Sequence, residues 1–212
     1  MKFPNSTNVD LSDFLTGYMK EIQKGFESID VSQLEKVVSV LDSVISRNGT
    51  IYTCGNGGSS SIAEHFMCDF LKGVSTGTTV QPLIHSLSSN TPTITAVAND
   101  ISYDDIFSFQ LERYGKNGDL LLCVSSSGNS PNIIKALSMA KSKNIETISF
   151  VGFSGGDAKD ISDNCIHIPI KNYGIVEDIH HSLMHLLAQY IRVKNLEDIK
   201  NIERTVFSVF ES

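Results

Sequence analysis

Histidines and carboxylates recur at four-residue spacing in two distant parts of this chain. His65 and Asp69 form one such pair, and the same interval separates Glu177, His181 and His185. Side chains four residues apart lie on one face of a helix. Neutral imidazoles together with carboxylates are the ligands that proteins use for divalent metal ions. Because either group alone is also typical of an ordinary helix surface, the spacing indicates a metal site only if the fold brings both groups together.

Two loops rich in glycine and serine follow short β-rich runs. They occur in TIYTCGNGGSSS, which begins at Thr50, and in DLLLCVSSSGNSPNIIKAL, which begins at Asp119. Glycine lets the backbone approach a ligand closely, and the helix that follows each loop presents free N–H groups that favour an anion. Neither loop has the lysine of a P-loop or the G-x-G-x-x-G pattern of a dinucleotide site. One such loop is most often a plain connection, whereas two of the same design indicate phosphate binding.

Strands that alternate with helices must position these residues. The pattern predicts two leading amphipathic helices at 11–26 and 31–45, and strands at 50–54, 119–124, 146–151 and 165–169. Further helices are predicted at about 59–72, 92–98, 104–113, 131–143, 157–163 and 176–193. Near-continuously apolar strands such as LLLCV at 120–124 are typical of a parallel sheet covered on both faces. The prediction is one α/β domain: a helical pair over 1–48, a core over 49–194, and a charged tail over 195–212 that could form another helix.

The composition narrows the classes of function. The net charge of −7 argues against binding to nucleic acid or to an anionic membrane. No apolar run is long enough for a membrane span, and the first ten residues lack the apolar core of a signal peptide, so we expect a cytoplasmic protein. The four cysteines include no C-x-x-C pair and are expected to be reduced.

Four stretches of sequence carry a family resemblance. They are CGNGGSSS followed by His65-Phe66, Asn99-Asp100 followed by YDDIF, SSSGNSPN-x2-KAL, and VEDIHHSLMH. Together they resemble the sugar-isomerase (SIS) domain family, and within it the phosphoheptose isomerases, over nearly the whole chain. The resemblance implies a five-stranded parallel sheet and a homotetramer. It also implies conversion of sedoheptulose 7-phosphate to D-glycero-D-manno-heptose 7-phosphate, for surface heptose in lipopolysaccharide or capsule.

The resemblance also implies which residues form the site. Those that would hold the phosphorylated sugar are Asn56, Gly57, Gly58, Ser59, Asn99, Asp100, Ser125, Ser126, Ser127 and Ser130. Those that would bind zinc are His65, Asp69, Glu177 and His185. Asp69 stands where the family has a glutamate that moves a proton between C2 and C1 through an enediol, and His185 matches the histidine that helps open the ring.

Two departures from the family bear on the chemistry. Asp69 is one methylene shorter than the family glutamate, and a misplacement of about 1 Å can cost on the order of 100-fold in rate. Glu177 replaces a glutamine and can take over as the base if the roles have moved. Two carboxylates also favour harder ions, so Mn²⁺ or Fe²⁺ is an alternative to Zn²⁺.

The spacing of Glu177 and His185 leaves two arrangements open. Eight residues span about 12 Å along a regular helix, and side chains that far apart could hardly both reach one ion. Either the helix begins after Glu177, or the ligands come from more than one subunit.

The sequence therefore predicts an aldose–ketose isomerase for a seven-carbon sugar phosphate, with no redox cofactor. The alternative is a non-catalytic SIS protein that binds a sugar phosphate or a protein partner, like the factor that associates with the bacterial replication initiator. The two histidines and two acids favour the enzyme, while Asp69 in place of glutamate is the point against it.

Overall fold

Five parallel strands form the centre of the molecule in the computed structural model, which describes residues 3–4, 7 and 10–198. The strands are β1 Thr50–Gly55, β2 Leu83–Ser86, β3 Leu120–Ser125, β4 Glu146–Val151 and β5 Asn164–His167. Their order in the sheet is β2-β1-β3-β4-β5. This confirms the predicted α/β fold with a five-stranded parallel sheet.

Two helices precede the first strand, and at least one helix follows each strand along the chain. They are α1 Leu11–Glu27, α2 Val31–Ser46, α3 Gly58–Cys68, α4 Thr91–Asp100, α5 Ser108–Tyr114, α6 Pro131–Ser142, α7 Gly156–Ile161 and α8 Tyr173–Lys194. A π-helical segment, Asp69–Val74, continues α3, and a 3₁₀ turn, Tyr103–Asp105, precedes α5. The part of the charged tail over 199–212, with any further helix in it, lies outside the described residues.

The helices cover both faces of the sheet and divide the core in two. On one face the side chains of α2, α3 and α8 pack together, for example Leu41, Phe66 and Leu183. On the other face α4 to α7 contribute residues such as Leu111 and Leu137. A strand buried on both faces needs apolar side chains throughout, which is why every residue of β3 is buried.

The sequence pattern did not predict strand β2. It is an edge strand of four residues and pairs only with β1 among the strands of the described part of the chain. Leu83 is exposed and the next two side chains are only partly buried. A short edge strand of this kind carries neither a continuous apolar run nor a clear alternation, so the sequence pattern does not distinguish it from a loop.

The two leading helices pack on the face that α8 covers. Asp30 caps α2 through a hydrogen bond from Ser32 N to Asp30 Oδ1 of 2.9 Å. Gly25 lies so close to α8 that a methyl group there would be 2.1 Å from Ile179 Cδ1. None of the helices in the described part of the chain combines the length and the hydrophobicity that a membrane span requires.

Candidate functional site

The two glycine- and serine-rich loops lie side by side at the carboxyl end of the sheet. They follow β1 and β3, which are neighbours in register from Ile51 opposite Leu120 to Gly55 opposite Val124. The strand order reverses direction at this pair, and ligands of open parallel sheets bind at such a switch point. The site predicted from two separate loops is therefore a single site.

A pair of amide side chains joins the two loops. Asn56 Nδ2 donates to Asn132 Oδ1 at 2.8 Å, and Asn132 Nδ2 donates to Asn56 Oδ1 at 2.9 Å. The Tyr103 hydroxyl also donates to Asn56 Oδ1, at 3.1 Å. Asn56 thus fixes the spacing of the loops.

A small cavity lies between the loops and the start of α8. Its volume is about 120 Å³. The lining residues are Asn56, Ser59, Val124, Ser125, Ser126, Ser127, Ser130, Tyr173 and Glu177. Six of the residues expected to hold the sugar phosphate therefore share one cavity: Asn56, Ser59, Ser125, Ser126, Ser127 and Ser130.

Two serine hydroxyls in this cavity are free to bind a ligand. Ser126 Oγ is buried and has no hydrogen-bond partner among the described residues, which is costly unless a ligand or water satisfies it. Ser130 occupies the N-cap position before Pro131, yet its side chain makes no capping hydrogen bond in this part of the structure. Since both residues line the cavity and Ser130 directly precedes α6, their hydroxyls fit an anion such as phosphate.

The remaining residues expected at the sugar site do not line this cavity. Gly57 and Gly58 begin α3, and a methyl group on Gly58 would be 2.4 Å from Glu177 Oε2. Asn99 and Asp100 lie at the end of α4, where Asn99 Nδ2 donates to Asp100 Oδ1 at 2.7 Å. Both are exposed and neither lines the cavity.

Gly128 holds the second loop in a conformation that suits glycine. Its φ is +67°, and an added methyl group would lie 1.8 Å from the backbone oxygen of Gly155. Because a non-glycine residue in the left-handed region costs about 1–3 kcal/mol before any clash, we expect Gly128→Ala to lower the free energy of unfolding by at least that amount, measured by urea denaturation. Gly73→Ala is the matched control, since a methyl group there meets nothing within 4 Å. Equal stability of the two variants would contradict this account of the loop.

Three histidines and one carboxylate meet where α3 packs against α8. His65 Nδ1 and His181 Nε2 are 2.8 Å apart, and His185 Nδ1 lies 2.8 Å from Asp69 Oδ2. Asp69 Oδ1 is also 3.4 Å from His65 Nε2. One ring nitrogen from each histidine lies within 4.8 Å of the others. The fold thus joins the two groups that share four-residue spacing, and within one chain.

This cluster has the donor set of a divalent metal site. Burial, and then the charges of His65 and His185, lower the pKa of His181, which favours the neutral imidazole that binds metal. Asp69 is the first residue of the π-helical segment, an irregularity that often occurs at functional sites. The ligand atoms of His65, His181 and His185 converge here, and Asp69 contacts two of these histidines, His65 and His185.

Glu177 lies in the cavity rather than in the group of three histidines. It is on α8, one turn before His181, and the helix begins at Tyr173. Helix α8 therefore does not start after Glu177, which removes one of the two arrangements left open by the sequence. Burial, and then the charge of Asp178, raise the pKa of the Glu177 carboxyl.

The adjacent histidines of the IHHSLMH stretch have different surroundings. His180 is fully buried beside Phe150, with ring centroids 6.0 Å apart, and burial lowers the pKa of its imidazole to about 4. It is a neutral core residue, whereas His181 and His185 face His65. The resemblance had not assigned His181 to the site, although its four-residue spacing from both Glu177 and His185 was a signal.

The sheet order, the paired loops and the histidine cluster define a sugar-isomerase domain, and the chain matches the SIS domain family model over residues 16–152. It is 33% identical over 183 residues to the probable phosphoheptose isomerase of Thermoplasma volcanium, covering 86% of this chain and 91% of that one. It is also 40% identical over 144 residues to the phosphoheptose isomerase of Colwellia psychrerythraea. That match covers 66% of this chain and 73% of the Colwellia chain.

A solved structure supports the same relationship. The structure of a phosphoheptose isomerase from Francisella tularensis matches with a TM-score of 0.80 at 26% identity. The match covers 88% of this chain and 100% of the Francisella chain. The chain belongs to the phosphoheptose isomerases within the SIS domain family.

Proposed function

We propose that this protein is an aldose–ketose isomerase that converts sedoheptulose 7-phosphate to D-glycero-D-manno-heptose 7-phosphate, or catalyses a closely related sugar-phosphate isomerisation. The observation that carries the proposal is that Glu177, His181 and His185 lie at intervals of one helical turn along one face of α8. It connects the serine-lined cavity to the cluster that contains Asp69. A binding module needs only the cavity, whereas proton transfer also needs the acids and bases beside it.

The serine loop would hold the phosphate. Its hydroxyls and the free N–H groups at the start of α6 offer donors without a competing cation, and the unpartnered Ser126 Oγ supplies one of them. A sugar bound along α8 would then extend from Ser130 toward His181. Glu177 lines the cavity and His181 follows it by one helical turn, about 6 Å along the axis, so the far end of a seven-carbon chain would point toward the histidine cluster.

The carboxylates and His185 would move the protons. Isomerisation removes a proton from one of the carbons C1 and C2 and returns it to the other, so a single base is sufficient. Asp69 is in contact with His185, which orients the imidazole that would carry the ring-opening proton. Glu177, whose pKa is raised, is a second carboxyl suited to accept and return a proton.

The donor set at the cluster supports a divalent cofactor. We propose Zn²⁺, with Mn²⁺ or Fe²⁺ as alternatives, held by ligands drawn from His65, Asp69 and His185 and, as the resemblance implies, Glu177. When bound, such an ion acts as a Lewis acid toward a sugar oxygen.

Assembly and cellular context complete the proposal. The outer face of α1 exposes Leu11, Leu15 and Met19, with 80%, 60% and 57% of their surface accessible. An apolar face of this kind supports burial against another subunit, and we propose a homotetramer. We also propose that the enzyme works in the cytoplasm, in surface heptose biosynthesis.

The deciding experiment is an isomerase assay in D₂O. Purified protein is incubated with sedoheptulose 7-phosphate and with a panel of five- to seven-carbon ketose phosphates, and NMR detects new aldoses and deuterium at C1 or C2. We expect one preferred substrate and deuterium in recovered substrate as well as in product. Tight binding of sugar phosphates without product or deuterium exchange would favour the non-catalytic alternative.

The phosphate loop gives a separate prediction. Ser127→Ala combined with Ser130→Ala is expected to weaken binding of the phosphorylated sugar, because each hydrogen bond to a charged group contributes about 1.5–3 kcal/mol, or roughly 10- to 150-fold in Kd. Isothermal titration measures the loss, and Ser138→Ala, which lies further along α6 and bonds to Ile134 O, is the control. Unchanged affinity of the double variant would show that the phosphate binds elsewhere.

A further inference from the structure

We propose that this chain binds its divalent ion through three histidines, His65, His181 and His185, with His181 in the place that the resemblance gives to Glu177. The inference rests on the proposed metal-dependent function, and it concerns the ligand set that this particular chain provides. It is carried by the convergence of one ring nitrogen from each of the three histidines within 4.8 Å.

The geometry is close to that of a bound ion. Metal–nitrogen bonds of about 2.0–2.1 Å require ligand nitrogens to be no more than about 4.2 Å apart. The His65 and His181 nitrogens are already 2.8 Å apart, and the three ring centroids are separated by 4.8, 4.8 and 4.9 Å. Small side-chain movements are therefore sufficient.

Asp69 supports the same arrangement from the opposite side. It contacts His185 at 2.8 Å and His65 at 3.4 Å. A carboxylate in this position orients the two imidazoles, and it can also complete the coordination. The short side chain of Asp69 is compatible with either role, orienting the imidazoles or binding the ion. His181 supplies a third imidazole donor, whereas the resemblance implies a glutamate and a glutamine beside two histidines in the family.

Glu177 is left to face the substrate. Its carboxylate lies against Gly58 and lines the serine cavity, and among the described residues it is not part of the group of convergent ligand atoms. A carboxyl in the cavity with a raised pKa is suited to proton transfer. The histidine at position 181 thus accounts for a ligand set that does not need the residue at 177.

Metal affinity separates the two ligand sets. Full-length protein is stripped with chelator, and the Kd for Zn²⁺ is measured by competition with a chromophoric chelator for wild type, His181→Gln and Glu177→Gln. We expect His181→Gln to raise the Kd by more than the roughly 10- to 100-fold that loss of an outer-shell partner costs. Glu177→Gln should change it less than about 3-fold, and so should His85→Gln, a control on β2 outside the cluster.

Cobalt adds a readout that does not depend on activity or on folding stability. Co²⁺ bound to wild type and to Glu177→Gln should show the same visible absorption spectrum, while His181→Gln should show a different one, because one nitrogen donor is lost. Normal Zn²⁺ affinity and an unchanged Co²⁺ spectrum in His181→Gln would overturn the inference, as would loss of Zn²⁺ binding in Glu177→Gln.

The two proposals fail in different ways. If wild type binds Zn²⁺ through His181 but isomerises no sugar phosphate, the proposed function is wrong and the ligand set stands. If wild type isomerises sedoheptulose 7-phosphate and His181→Gln binds Zn²⁺ like wild type, the function stands and the ligand set is wrong.

Discussion

Replacing Asp69 by Asn is expected to lower kcat for the isomerisation by about 10²- to 10⁴-fold, the contribution typical of a positioned acid or base. Asparagine keeps the shape of the side chain but cannot accept the proton, and it removes the negative charge that faces His65 and His185. The measurement is steady-state turnover of sedoheptulose 7-phosphate, together with deuterium incorporation from D₂O.

The control for this prediction is Asp69→Glu, which restores the residue that the family has at this position. We expect it to retain activity within about 10-fold of wild type, because the carboxylate is kept and the π-helical segment that begins here has room to adjust. Metal content is measured for both variants, so that loss of the ion is distinguished from loss of the base. Wild-type kcat in metal-loaded Asp69→Asn would assign the proton transfer to Glu177 instead.

Mixing Asp69→Ala with His185→Ala is expected to restore no activity. Each variant alone should be at least about 100-fold below wild type. In the structure Asp69 Oδ2 and His185 Nδ1 of the same chain are 2.8 Å apart. Every cluster in a hybrid assembly would therefore lack one of the two groups. The variants are dissociated, mixed, reassociated and assayed, and light scattering confirms that a tetramer has formed again.

The control mixes His185→Ala with wild type, for which activity should follow the fraction of wild-type chains. Recovery of activity in the mixture of the two single variants would mean that Asp69 of one subunit serves His185 of another. A wild-type protein that light scattering shows to be a monomer would contradict the proposed homotetramer.

The sequence by itself determined the fold class, most element positions and the two loops. The apolar runs at 120–124 and 146–151 became β3 and β4, because a strand buried on both faces leaves an unbroken hydrophobic pattern. Asp30 and Pro131 stand at the starts of α2 and α6, and such start signals can be read from the sequence because capping and the missing proline N–H act within a few residues of the chain.

Only the tertiary structure decided which of the candidate ligands meet. His65 and His181 are far apart in sequence, and their contact depends on how α3 packs against α8. Helical spacing defines which side chains share a face, but it carries no information on the angle and depth at which two faces meet. For the same reason Glu177, at equal spacing from His181, proved to lie in the serine cavity. Four-residue spacing places Glu177, His181 and His185 on one face of α8. Packing then sets Glu177 against the serine cavity and the two histidines against His65 and Asp69, so their surroundings differ.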